Sequence, residues 1–119
     1  MRVEILSSAK CDLRDGRIFY EQQGGAYLGS YFFDTIFSEI DSLAIYAGIH
    51  PKRYGFYWTM PRHFPYSIYY DISNEVARVY AVIDNRRDPN WIYGHLQMAK
   101  HLNRETEMKG MKDKTVKRS

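Results

Sequence analysis

Residues 66–83 read Tyr66-Ser67-Ile68-Tyr69-Tyr70-Asp71-Ile72-Ser73-Asn74-Glu75-Val76-Ala77-Arg78-Val79-Tyr80-Ala81-Val82-Ile83. Both ends of this stretch, 66–72 and 76–83, are dense in aromatic and β-branched residues, which pack well on a pleated surface. Ser73-Asn74-Glu75 between them is a polar turn. Two strand-forming runs joined by so short a connection make an antiparallel hairpin. The run 76–83 is nearly continuous in apolar residues, so it is expected to be the most buried strand.

Working outward, residues 54–60 (Tyr-Gly-Phe-Tyr-Trp-Thr-Met) predict a further strand, and Pro61 and Pro65 bracket its connection to the hairpin. Upstream, Leu28, Phe32, Phe33, Ile36, Phe37, Ile40, Leu43, Ala44 and Ala47 recur with a 3.6-residue period opposite Asp34, Ser38, Glu39 and Asp41. This predicts an amphipathic helix of about 20 residues, stopped by Gly48 and Pro51. Ala9, Leu13, Gly16 and Tyr20 share one face of an earlier helix over about 8–23, with Ser7 or Ser8 as its N-cap and Gly24-Gly25 as its end. Residues 2–6 alternate as a short edge strand. After Arg86-Arg87-Asp88-Pro89, a terminal helix would use Trp91, His95, Met98, Ala99 and Leu102. Beyond Asn103 no apolar period continues, and a mobile basic tail is expected. The fold class is therefore α+β with order β-α-α-β-β-β(-α), two helices packed on a small antiparallel-dominated sheet.

The 119 residues suit one domain, since domains of roughly 100–150 residues are the commonest. The net charge of +3 is unevenly placed. Residues 1–99 hold ten Lys/Arg against eleven Asp/Glu, and residues 100–119 hold seven against three. The basic character therefore belongs to the tail, where it speaks more weakly for nucleic acid than a basic fold would. No apolar run approaches the roughly 18 residues of a spanning helix, and MRVEILSSAK lacks the apolar core of a signal peptide, so no membrane association is expected. One cysteine, Cys11, excludes an internal disulfide and reads as a small buried apolar residue. His50, His63, His95 and His101 are scattered, which argues against a metal site, and no phosphate-loop or dinucleotide motif is present. No cofactor is expected.

The chemistry left over is basic. Arg62 and His63 precede the strand 66–72, and Arg86 and Arg87 follow its partner 76–83. Hairpin pairing brings these four residues to one end of the sheet, with Arg62 and Arg87 expected in one shallow basic cleft. Arginine there can grip phosphate through a bidentate fork, and Tyr66, Tyr69 and Tyr70 can offer stacking faces to unpaired bases. The competing reading is that Arg86 or Arg87 pairs with Asp84 or Asp88 and only fixes the strand end. Arg78 reads more readily as a structural residue.

Several motifs carry a resemblance. His63-Phe64-Pro65-Tyr66-Ser67-Ile68-Tyr69-Tyr70 resembles the FPY-x-I-x-Y strand of the RelE/ParE toxins of bacterial type II toxin–antitoxin, or plasmid stabilisation, systems. Val79–Trp91 resembles their closing strand and its RRDP…W end, and Tyr27-Leu28-Gly29-Ser30-Tyr31-Phe32 the start of their second helix. The resemblance spans about 2–93, giving a toxin domain over 1–95 and a helical extension with a mobile basic tail over 96–119. It implies a cytoplasmic toxin that inhibits growth and is neutralised by a cognate antitoxin. Its target would be DNA gyrase for a ParE-like member, or mRNA on the ribosome for a RelE-like, metal-independent endoribonuclease. A nuclease would draw on Arg62, His63, Arg86 and Arg87. Many relatives carry a histidine where this chain has Asp84, and the C-terminal Lys/Tyr set of the nucleases is not recognisable here. The resemblance therefore favours a ParE-like inhibitor over an enzyme, with a non-toxic family remnant as the third possibility.

Overall fold

The computed structural model describes the backbone of residues 1–118 and the side chains of residues 1–103. The tail beyond Asn103 thus lies outside the residues described in full. The element order is β1 (Arg2–Ile5), α1 (Ser7–Tyr46), β2 (Lys52–Arg53), β3 (Phe56–Thr59), β4 (Tyr66–Ser73), β5 (Val76–Asp84) and α2 (Pro89–Arg118). The sheet order is β1-β5-β4-β3-β2, with β1 parallel to β5 and the other pairs antiparallel. The α+β architecture read from the sequence is the one observed.

Helix α1 is a hairpin of two arms. Its path breaks at Gly24 (φ −144°, ψ 16°) and Gly25 (φ 85°, ψ −179°), and the positive φ at Gly25 is one that a side chain would oppose. The arms then run antiparallel, so that Gly16 meets the Phe32 ring and Arg17 Nη2 reaches Ser30 Oγ at 3.5 Å. Neither Ser7 nor Ser8 caps the helix, contrary to expectation. Leu6 takes that position without a side-chain cap, because strand pairing has already fixed it: its N–H donates to the Val79 carbonyl at 3.0 Å. The Ser8 hydroxyl donates to the Tyr80 carbonyl instead, at 2.6 Å.

The β4–β5 hairpin forms as expected, turning at Asn74 and Glu75, both with positive φ. A bulge between Tyr69 and Tyr70 shifts the register, so that Tyr69 faces Ala81 and Tyr70 faces Val79. The strand expected over 54–60 is shorter. Tyr54 (φ 56°) and Gly55 (φ 85°) form a two-residue turn linking β2 to β3, since positive φ cannot continue a strand.

Side-chain alternation gives the sheet two buried faces. Ile68, Tyr70, Ala77, Val79 and Val82 pack with Ala9, Leu13, Phe32, Ile36, Ile40 and Leu43 of α1. Tyr69, Ala81 and Ile83 pack on the other face against Ile92 and Leu96 of α2, with Phe56. The face that α2 buries is Ile92, Leu96 and Ala99; of the expected set Ala99 is buried and His95 half-buried, whereas Trp91, Met98 and Leu102 are exposed. On α1, Phe37 and Ala44 are exposed, so its buried stripe is narrower than the periodicity suggests. Cys11, expected in the core, is also exposed.

Candidate functional site

The end of the sheet is organised around Asp84. Its Oδ1 accepts from the Arg86 backbone N–H and from Arg86 Nε, both at 2.9 Å, and Oδ2 accepts from Arg86 Nη2 at 2.7 Å. The Arg86 hydrogen bonds lower the Asp84 carboxyl pKa below its ordinary value, against the opposing effect of burial. Arg86 is therefore engaged by its own strand end. Arg78 is likewise structural, donating to the Ser73 carbonyl at 3.2 Å and Ser73 Oγ at 2.6 Å and approaching Glu4 at 3.9 Å.

Beside Asp84 lies an open cleft of about 390 Å³. The first arm of α1 contributes Asp12, Asp15, Gly16 and Phe19; the strands contribute Tyr66, Val82, Ile83 and Asp84; Arg87, Trp91 and His95 close it. Asp12 connects three elements. Its Oδ2 accepts the Val82 N–H at 2.9 Å, and its Oδ1 lies 2.8 Å from His95 Nε2. That hydrogen bond raises the His95 pKa above its usual value, with burial pulling the other way. Arg87 lies over the Trp91 ring at 4.2 Å, and Trp91 stacks on His95 at 4.7 Å with an 11° interplanar angle. Burial, reinforced by Tyr20, pushes the Tyr66 hydroxyl up to about 12.

The four basic residues singled out in the sequence are not drawn into one cleft. The register Tyr66↔Asp84 and the Asn85 N–H to Pro65 carbonyl bond, 2.7 Å, do bring the two loops to the same end. Arg87 lines the cleft, whereas Arg62 and His63 do not. His63, at φ 74°, leans on Tyr31 of the second α1 arm at 5.9 Å between ring centroids. The cleft is also not simply basic, since three aspartates accompany Arg87 and His95. Tyr66, Tyr69 and Tyr70 are 7%, 0% and 0% exposed, so none presents a free stacking face. Their rings fill the core because they alternate across a sheet covered on both sides.

Asp12 and His95 escaped the sequence reading. The available signal was a histidine at i+4 from Trp91 on a half-buried helix; nothing local links it to residue 12. Among the described residues, no group of three His, Cys, Asp or Glu side chains is placed to hold a metal ion, and no helix is long and apolar enough to cross a membrane.

The α+β fold, a helical hairpin laid on the β1-β5-β4-β3 sheet, is shared with a solved structure. A chain of the solved structure titled "Chromosomal ParDE TA system from P. aeruginosa" superposes with a TM-score of 0.65 at 15% identity, covering 71% of this chain and 95% of that one. No family sequence model and no curated protein sequence matches.

Proposed function

We propose that this chain is the toxin of a type II toxin–antitoxin module, of the ParE-like kind that inhibits DNA gyrase through protein contacts and is neutralised by a cognate antitoxin. The observation that carries the choice is the state of the basic residues. Metal-free RNA cleavage needs an acid, a base and cations converging on one phosphate. Here Arg86 is held by Asp84, His63 leans on Tyr31, and Arg87 sits among three aspartates. The fold likeness to a ParDE chain supports the toxin–antitoxin class. On this reading the protein acts in the bacterial cytoplasm, and Arg62, His63, Arg86 and Arg87 have no catalytic duty.

Inducible expression in a bacterial host tests the class, with growth arrest expected. Purified protein should then block gyrase supercoiling and leave ribosome-dependent mRNA intact. Arg62→Ala, His63→Ala and Arg87→Ala should all remain toxic. Loss of toxicity in a folded His63→Ala variant, with mRNA cleavage by the wild type, would establish the RelE-like nuclease instead. No arrest at all would mark a non-toxic family member.

A further inference from the structure

We infer that the cleft between α1, the β4–β5 end and α2 is a docking site for an acidic side chain of a protein partner, with Arg87 as its anchor. This rests on the reading above only in naming that partner as the antitoxin; the site itself follows from the geometry.

The charges in the cleft are settled locally, with one exception. Asp12 is satisfied by His95 and the Val82 N–H, and Asp84 by Arg86. Asp15 is exposed and approaches Arg14 at 3.6 Å. Arg87 has no ion-pair partner among the described residues, yet its guanidinium is fixed over Trp91 at 4.2 Å. An arginine held over an aromatic ring loses less freedom when it grips a planar anion. A carboxylate matches that fork in bidentate fashion. The wall beside it, Phe19 at 41% exposure, suits the aliphatic or aromatic neighbours of an acidic residue in a peptide.

The same residues disfavour a nucleic acid. A strand brings several phosphates, and Asp12, Asp15 and Asp84 would repel every one that Arg87 did not pair. Base stacking is disfavoured as well. The Trp91 ring already carries Arg87 at 4.2 Å and His95 at 4.7 Å, which leaves little of it for a base. One carboxylate, carried on an otherwise apolar segment, fits the balance of charge.

The test titrates the full chain, followed by NMR at the Arg87 Nε–H and the Trp91 indole N–H. The probes are a short peptide of alternating Glu and Leu, its Gln-for-Glu counterpart, inorganic phosphate and a single-stranded oligonucleotide. The acidic peptide should shift both signals, and the Gln peptide should bind at least about ten-fold more weakly. Arg87→Gln should remove the preference for Glu, and Arg87→Lys should restore part of it. Equal binding of the Gln peptide, preferential binding of phosphate or oligonucleotide, or an unchanged preference in Arg87→Gln would overturn the inference. In cells, Arg87→Ala should remain toxic yet escape the antitoxin encoded beside it. A wild type without growth arrest would remove the toxin reading while leaving the peptide result intact.

Discussion

The Asp12 carboxylate and the His95 imidazole, 83 positions apart in the chain, meet at 2.8 Å and fasten α2 to the first arm of α1. The second oxygen of the same carboxylate takes the Val82 N–H, so one side chain joins both helices to the central hairpin. Asn103 Nδ2 adds a second tie to Ser8 Oγ at 3.2 Å.

Asp12→Ala leaves a backbone N–H and an imidazole without their acceptor. The expected loss is about 1–3 kcal/mol, the range for a buried partner left unsatisfied. Asp12→Asn, which retains an acceptor, should lose less. Thermal or urea unfolding of both variants checks this, and a double-mutant cycle with His95→Gln should show non-additivity.

The pH dependence has a defined sign. His95 has a folded pKa raised by Asp12, so its contribution is fully present below the unfolded value of about 6.5 and fades as pH rises through the folded pKa. Asp84 acts oppositely: its folded pKa is lowered, so its contribution is present above about 3.9 and fades as pH falls through the folded value. Urea midpoints measured across mildly acidic to alkaline pH should fall for the wild type and fall less for His95→Gln.

Two glycines in helices should respond with opposite signs. A Cβ on Gly16 would lie 2.6 Å from Cε1 and Cζ of Phe32, a ring that is fully buried among Tyr20, Phe64 and Tyr66 and has nowhere to move. Overpacking of that kind costs about 1–3 kcal/mol, more than the roughly 1 kcal/mol of helix propensity gained by alanine. A Cβ on Gly94 meets nothing within 4 Å, so Gly94→Ala should stabilise by about 0.5–1 kcal/mol. Denaturant unfolding of the pair decides the matter; a stable Gly16→Ala would mean that the hairpin arms are looser than described.

Glu75 holds φ at 60° in the β4–β5 turn, beside Asn74 at 51°. Two successive residues in that region favour Asn-Gly, because glycine meets no Cβ penalty there. Glu75→Gly should therefore stabilise the hairpin by roughly 0.5–1 kcal/mol in thermal unfolding. An unchanged or lower Tm would indicate that Glu75 contributes a compensating contact.

The hairpin and the two α1 arms were legible because their signals are local: strand-forming runs either side of a polar turn, and a helical period broken at Gly24-Gly25. The α2 face was read one stripe off: Ala99 was included, but Trp91, Met98 and Leu102 were taken in place of Ile92 and Leu96. Only the sheet surface decides which stripe is covered. The tyrosines of β4 are not available for stacking because both faces of the sheet are covered: Tyr66 and Tyr70 pack under α1 and Tyr69 under α2. The site was half legible. Asp84 and Arg86 are neighbours in sequence and their pairing was foreseen as one alternative, but the Asp12–His95 contact exists only after the sheet has brought residues 12, 82 and 95 together.

The parallel pairing of Arg2–Ile5 with residues 76–79 also dictates an order of events during synthesis. Strand β1 is made well before β5, its one strand neighbour, so a loop of about seventy residues must close before the two can pair. The antiparallel β3–β4–β5 meander can form in sequence, each strand on the one before it. Strand β1 is therefore expected to join the sheet after the β3–β4–β5 meander, and a nascent chain stopped short of β5 would expose both an unpaired strand and the apolar side of the α1 hairpin.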